Sequence, residues 1–335
     1  MRGLNPPAPA QSPIFIHSLW RSSSTWFFSK FRAAPGYFAY QEPLHEVVVA
    51  AASNPDYLQP MSVAAHAELR HPDLGEGHFH ELRMTHAAWK DHVSASSVYD
   101  RYFDPDADDQ LLTFYKALIA AAPARPVLQE CRTASRIAPI KAALGGVHLA
   151  LNRNPRDQWW SFKSAPYFEA ALQLLLHSKP RPPLLDRIAH NAGFTPYLDA
   201  TIEQRFDHFM RLPLSHEDSY RLFFAVWCLA TDHAHRHADL VIDLDAFGEV
   251  PEVSARVIQT IAELGINGVD LSGFSGFQAP LLPSSLNDFE RIEEGVLIDL
   301  QIDGMETAAL DALRKTLRDK EVIRQSVMGQ NGPAL

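Results

Sequence analysis

Short, mainly apolar runs alternate along the chain with longer stretches in which apolar residues recur every three or four positions. Pro13-Ile14-Phe15-Ile16-His17 ends at Ser18, Phe38-Ala39-Tyr40 is stopped by Pro43, and similar runs fill 126–132, 147–153 and 239–244. Runs this short, without polar alternation, read as strands buried on both faces. Between them, 24–32 carries apolar residues at 27, 28 and 31, the spacing of a one-faced helix. The stretch 111–122 is amphipathic and closed by Pro123, and a helix through 140–144 stops at Gly145-Gly146. Further helices are predicted over 219–234, 254–264 and 305–327, with a helical pattern broken by prolines at 180–183 and 196 filling 159–213. Alternating strand and helix predicts an α/β protein, a three-layer sandwich around a central parallel sheet.

One domain over 13–290 accommodates this pattern, with insertions at about 55–109 and 165–215 and a helical extension at 291–335. The 55–109 segment is rich in His, Asp and Gly, shows no clear strand and reads as a cap; 268–283 reads as an irregular loop. Composition adds exclusions. A net charge of −10 argues against a general binder of nucleic acid or of anionic membranes. Cys131 and Cys228 are too few for a disulfide framework, which predicts two reduced thiols. Residues 1–13 are Pro-rich and lack the apolar stretch of a signal peptide, and no window approaches the ~20 apolar residues of a membrane span. The expected location is cytoplasmic; nothing in the sequence sets the oligomeric state.

The chemistry concentrates in two polar turns. Arg21-Ser22-Ser23-Ser24-Thr25-Trp26 follows the first strand, and Arg153-Asn154-Pro155-Arg156-Asp157, with Ser161, follows the run at 147–153. A strand that delivers a hydroxyl- and guanidinium-rich turn into a helix N-terminus builds an anion site from side chains and free backbone N–H groups. Two such turns point to a ligand with two separate phosphate groups. The first is not a G-x-x-x-x-G-K-[ST] loop, because no glycine lies between Gly3 and Gly36.

Trp20-Arg21-Ser22-Ser23-Ser24-Thr25-Trp26 resembles the 5′-phosphosulfate loop of sulfotransferases that use PAPS (3′-phosphoadenosine 5′-phosphosulfate), which carries a basic residue, Ser, Gly, two hydroxyl residues and often Trp or Phe. Arg153 followed eight positions later by Ser161 is similar to that family's 3′-phosphate motif, and Asp243 and Asp245 stand where it has a strand ending in an acidic pair. The resemblance covers roughly 14–265. Ser23 stands where the family usually has Gly, which bears on the tightness of the turn, and the Gly-rich C-terminal segment of the family's animal cytosolic members is not found. Tyr40-Gln41-Glu42-Pro43-Leu44-His45 looks closer to the bacterial and carbohydrate-type branches, where a Glu-Pro pair lies on the acceptor side.

The resemblance implies a P-loop nucleotide-binding-like (sulfotransferase) fold and transfer of the sulfuryl group of PAPS to a hydroxyl, or an amine, of a small-molecule, carbohydrate or lipid acceptor, releasing PAP (3′,5′-diphosphoadenosine). No metal is implied. Arg21, Ser22, Ser23, Ser24, Thr25, Trp26, Arg153 and Ser161 would bind the donor, with Arg21 also stabilising the bridging oxygen. Glu42 would deprotonate the acceptor, its pKa raised by an enclosed pocket, and His45 is the competing base. Two other readings stay open: a nucleotide-dependent kinase with an atypical loop, and a PAPS- or PAP-binding protein without turnover. Arg132 and Arg136 would line the acceptor pocket, bind phosphate or form a surface salt-bridged face; Trp159 and Trp160 would be core or stack on the adenine or acceptor. His78 with His80, and His233 with His235 and His237, are weak metal candidates without ligand-motif spacing.

Overall fold

The structure, a computed structural model, describes residues 12–59, 72, 74–106, 108–276, 278, 279, 281 and 283–330. Residues 1–11, and 60–71, 73 and 107 of the expected cap, lie outside the described residues, as do 277, 280 and 282 of the expected loop.

The chain runs β1 (Ile14–His17), α1 (Ser24–Ala33), β2 (Tyr37–Gln41), α2 (Glu46–Ala51), α3 (His80–Met84), α4 (His86–Trp89), α5 (Asp109–Ala121) and β3 (Arg125–Glu130). It continues through α6 (Ile137–Leu144), β4 (Val147–Asn152), α7 (Pro155–Phe162), α8 (Pro166–Leu174), α9 (Pro183–Asn191), α10 (Ile202–Met210) and α11 (His216–His237). The last elements are β5 (Leu240–Asp243), α12 (Leu244–Glu249), α13 (Pro251–Glu263), α14 (Pro283–Ile302) and α15 (Thr307–Gln330).

The five strands form one all-parallel sheet in the order β2-β3-β1-β4-β5. β1 is central and buried at every position, with Ile14 registered against Val127 on one side and Val147 on the other. Because strand side chains alternate between faces, Ile14 and Ile16 pack with Phe27, Phe28 and Phe31 of α1 and with Val257 and Ile261 of α13. Phe15 packs instead against Phe114, Tyr115 and Leu118 of α5, while Ala150 of β4 meets Ile137 of α6 and Ala234 of α11. The three-layer expectation is therefore met: helices cover both faces of a parallel sheet.

This topology fixes where a ligand would sit. From β1 the chain crosses to β2 through α1 on one face; from β3 it crosses to β4 through α6 on the other. β1 and β3 are neighbours whose exits diverge, and a crevice at the carboxyl ends of such strands is the usual binding position in open α/β sheets.

The C-terminal helices are tied to that same end. Lys320 of α15, 0% exposed in its side chain, bridges Asp243 (2.8 Å) and Asp245 (2.9 Å). Arg156 grips Glu293 of α14 with Nε (2.8 Å) and Nη2 (2.7 Å), and Arg324 of α15 reaches Asp157 (3.4 Å) and the Ala279 carbonyl (2.8 Å). The extension expected at 291–335 is helical, but its first helix starts earlier, as α14 from Pro283, where Phe289, Ile292, Val296, Leu297 and Leu300 supply a buried stripe at helical spacing.

Candidate functional site

A cavity of about 830 Å³ opens at the carboxyl ends of the strands, within the range of small-molecule sites. Arg21, Ser23, Ser24, Thr25, Trp26, Glu42, His45, Arg153 and Ser161 all line it. Of the residues expected to bind the donor or act as base, Ser22 alone stands back: it is fully buried behind the turn and contributes no surface to the cavity. The two turns touch, since Arg21 Nε donates to Ser161 Oγ at 3.1 Å and Arg153 Nη1 donates to the Arg21 carbonyl at 3.1 Å.

The turns differ in how they offer binding groups. Ser23 precedes α1 in the left-handed region (φ 64, ψ 22), and its side chain makes no capping hydrogen bond. The first-turn N–H groups of α1 are thus without a side-chain cap, beside the Ser24 and Thr25 hydroxyls. The left-handed φ is also the physical reason a glycine suits this position. Helix α7 is different: Asn154 Oδ1 accepts from the N–H groups of Arg156 (3.0 Å) and Asp157 (3.4 Å), with Pro155 in the first turn. Contrary to expectation, α7 does not present open amides. The second turn supplies the side chains of Arg153 and Ser161. Asp245 braces it, accepting from Asn154 N at 2.5 Å with Arg153 Nε at 3.9 Å, while Asp243 caps α12.

Backbone strain marks the same wall. Among the described residues four non-glycine positions have positive φ, and three of them, Arg21 (64°), Ser23 (64°) and Glu42 (42°), line the cavity. Each costs on the order of 1–3 kcal/mol, so their clustering points to a binding or catalytic constraint.

Opposite the turns lies a carboxylate cluster built on one buried guanidinium. Arg132, 0% exposed, donates to Glu42 Oε2 (3.0 Å), Glu46 Oε2 (2.7 Å), Tyr99 Oη (3.2 Å) and Tyr167 Oη (2.8 Å). Burial by itself would push the Glu42 carboxyl up; the neighbouring His78 and the Arg132 charge outweigh it and hold the group well below the usual carboxylate range. The expected upward shift is thus reversed, because the pocket wall carries a cation. His45 caps α2, its Nδ1 accepting from Val47 N (3.2 Å) and its Nε2 lying 3.1 Å from Tyr167 Oη. Burial pushes its imidazole down to about 4, against the opposing pull of Glu46, so it is neutral at pH 7.

Cys131 joins the two clusters, its Sγ 3.7 Å from Ser24 Oγ and 3.6 Å from Glu42 Oε1. Burial pushes this thiol up to about 12, so it is no nucleophile at neutral pH.

No family model matches the chain, and no curated protein and no solved structure is similar to it at a significant level.

Other candidates resolve plainly. Arg132 and Arg136 are both buried and do not line the cavity, Arg136 donating to the Ser97 (2.5 Å) and Val98 (3.3 Å) carbonyls. Trp159 is core, with Nε1 on Ser219 Oγ (3.1 Å), and Trp160 is exposed away from the cavity. Among aromatic residues of the two insertions, Tyr57, Phe79, Tyr167 and Phe168 line the cavity, whereas Trp89, Tyr99 and Tyr102 are buried outside it. Among the described residues no group of three or more His, Cys, Asp or Glu side chains is placed to hold a metal ion. Among them too, no helix is long and apolar enough to cross a membrane. His78, expected from the sequence only as a metal candidate, lines the cavity beside Phe79, a placement that a segment without periodicity does not show.

Proposed function

We propose that the protein is a sulfotransferase of P-loop nucleotide-binding-like fold that moves the sulfuryl group of PAPS onto an acceptor hydroxyl and releases PAP. The observation that carries this is the meeting of two phosphate-type turns, about 130 residues apart in sequence, in one cavity at the carboxyl ends of a parallel sheet. The Ser23–Thr25 turn and the start of α1 would hold the 5′-phosphosulfate, and Arg153 with Ser161 the 3′-phosphate. Arg21, which reaches Ser161 and stacks over Phe168 at 5.2 Å, would sit beside the bridging oxygen where charge develops.

In the reaction the acceptor oxygen forms a bond to sulfur as the bond from sulfur to the 5′-phosphate oxygen breaks, and PAP departs with the bonding electron pair. Such a transfer depends on alignment and on stabilising the leaving oxygen. The phosphosulfate at Ser24 and the acceptor hydroxyl at Glu42 would meet across Cys131, which touches both residues. Glu42 would accept the hydroxyl's hydrogen bond and take its proton as the oxygen–sulfur bond forms, passing it to solvent once PAP has left. His45, with both ring nitrogens engaged, is the weaker candidate base.

The test is calorimetric titration of metal-free protein with PAP, with ATP as comparison, repeated on Arg153→Ala. Tight PAP binding without Mg²⁺, weaker ATP binding and a ten- to hundredfold loss in the variant are expected, from the removal of one charge-assisted contact of about 1.5–3 kcal/mol. Absence of PAP binding, or a Mg²⁺-dependent preference for ATP, would overturn the reading in favour of the kinase alternative. PAP binding with no transfer to any acceptor would favour a nucleotide-binding protein without turnover.

A further inference from the structure

We propose that Lys320, on the C-terminal helix α15, is a positioning residue for the donor's 3′-phosphate, holding Asp243 and Asp245 so that the Arg153 guanidinium acts on the phosphate rather than on them. This role rests on the sulfuryl-transfer reading and deepens it, by naming what sets the charge of the second turn.

The turn at Arg153 is flanked by carboxylates. Asp245 Oδ1 lies 3.9 Å from Arg153 Nε, and Asp245 Oδ2 accepts from the N–H of Asn154 at 2.5 Å. Asp243, at the end of β5, accepts through Oδ1 from the N–H groups of Asp245 (3.0 Å) and Ala246 (3.1 Å). Two uncompensated carboxylates at this range would engage the arginine and repel an incoming phosphate, because charges a few ångströms apart near a protein interior are weakly screened.

Lys320 answers both. Its ammonium, 0% exposed, lies 2.8 Å from Asp243 Oδ1 and 2.9 Å from Asp245 Oδ2. Burial by itself would push the ammonium towards its neutral form; Asp245 and Asp243 outweigh burial and raise its pKa, so it is a cation at neutral pH. The Asp245 oxygen it takes is the one on Asn154, and the other stays beyond hydrogen-bond reach of Arg153.

The remaining charges around the turn are matched without this lysine. Arg156 pairs with Glu293 of α14 (2.7 Å) and with Glu321 of α15 (3.4 Å). Arg324, four positions after Lys320 and so on the same face of α15, pairs with Asp157, whose Oδ1 also accepts from Ala279 N at 2.7 Å. Helix α15 is thus fastened to the turn by Glu321 and Arg324, which leaves the contribution of Lys320 electrostatic. Its effect is confined to one phosphate, since a nucleotide without the 3′-phosphate places no charge at Arg153.

The test is calorimetric titration of the full-length protein with PAP and with AMP (adenosine 5′-phosphate), which lacks the 3′-phosphate. The proteins are wild type, Lys320→Met, Lys320→Met/Asp245→Asn and Asp243→Asn. Lys320→Met should bind PAP about tenfold more weakly and AMP within about twofold of wild type. Adding Asp245→Asn should bring PAP affinity back to within about threefold of wild type, because the competing carboxylate is gone while an amide oxygen remains for Asn154 N. Asp243→Asn leaves Lys320 to Asp245 alone and should tighten PAP about twofold without altering AMP. Asp243 is 31% exposed in its side chain, so this variant decides the question even if Lys320→Met does not fold. Equal losses of PAP and AMP affinity in Lys320→Met, no recovery in the double variant, or unchanged PAP affinity in Asp243→Asn would overturn the role of Lys320 and leave the donor site standing. Wild-type protein that binds AMP as tightly as PAP would overturn the 3′-phosphate assignment, and the role of Lys320 with it.

Discussion

The two walls of the cavity are built on different principles. The turn wall comes from two contiguous segments, 21–26 and 153–161, whose groups are placed by the strand ends and helix starts that carry them. The carboxylate wall draws on residues from the ends of β2 and β3, the α2 start, the loop before α3 and the α8 start, all converging on Arg132 or on Glu42. A site made of backbone turns is local, so it leaves a motif. A site made of a buried side-chain network is nonlocal, and no short stretch of sequence contains it.

If that contrast is right, the carboxylate wall should be the fragile one. Arg132→Ala would leave two buried carboxylates without their cation, and a stability loss of about 3–5 kcal/mol is expected in urea unfolding. A loss under 1 kcal/mol would mean that Glu42 and Glu46 reach solvent. Glu130, behind the same wall, sharpens the point. It accepts from Leu44 N (2.8 Å) and Tyr115 Oη (3.0 Å), and burial pushes its carboxyl up to about 8, against the opposing Arg132 charge. Its folded pKa thus lies above the unfolded value, so its stabilisation is complete below the unfolded pKa and is lost as pH rises towards 8. From pH 5 to 8 the wild type should lose up to about 1.4 kcal/mol per pH unit relative to Glu130→Gln. Parallel stability–pH curves for the two proteins would show that Glu130 titrates normally.

Changes in the turn wall should act on ligand affinity more than on folding. Ser161→Ala removes one neutral hydroxyl, so PAP affinity should fall about fivefold, or ~1 kcal/mol, with stability nearly unchanged. An unaltered affinity would place the 3′-phosphate elsewhere. The smallest effect is expected from Ser23→Gly, where relief of a left-handed φ should raise stability by up to about 1 kcal/mol and preserve PAP binding. A destabilised Ser23→Gly protein would mean that the serine side chain holds the turn.

Several parts of the site were legible residue by residue for identifiable reasons. Arg21, Arg153 and Ser161 follow strands whose apolar runs are unambiguous, so their place at the sheet's carboxyl end follows from connectivity. Glu42 was visible at a strand end, yet the direction of its pKa shift was not, because that depends on a guanidinium 90 positions away in the chain. Arg32 reads as an ordinary basic residue in the last turn of a helix, and only folding shows that it holds the His78 loop. The closeness of α14 and α15 to the Arg153–Asp157 turn was equally hidden, since Glu293, Lys320 and Arg324 look like surface charges until they are buried against Arg156, Asp243 and Asp157.

The sequence by itself determined the layers: apolar runs of strand length, separated by one-faced helices, can bury their surfaces only as a parallel sheet covered on both sides. It also determined the polar turns at the strand ends, because turn chemistry is encoded within a few neighbouring residues. Tertiary structure decided the strand order, the meeting of Arg21 with Ser161, and the charge states around Arg132. Those depend on which distant groups share a low-dielectric space, and electrostatic energies there are set by separations of a few ångströms that only the folded chain fixes.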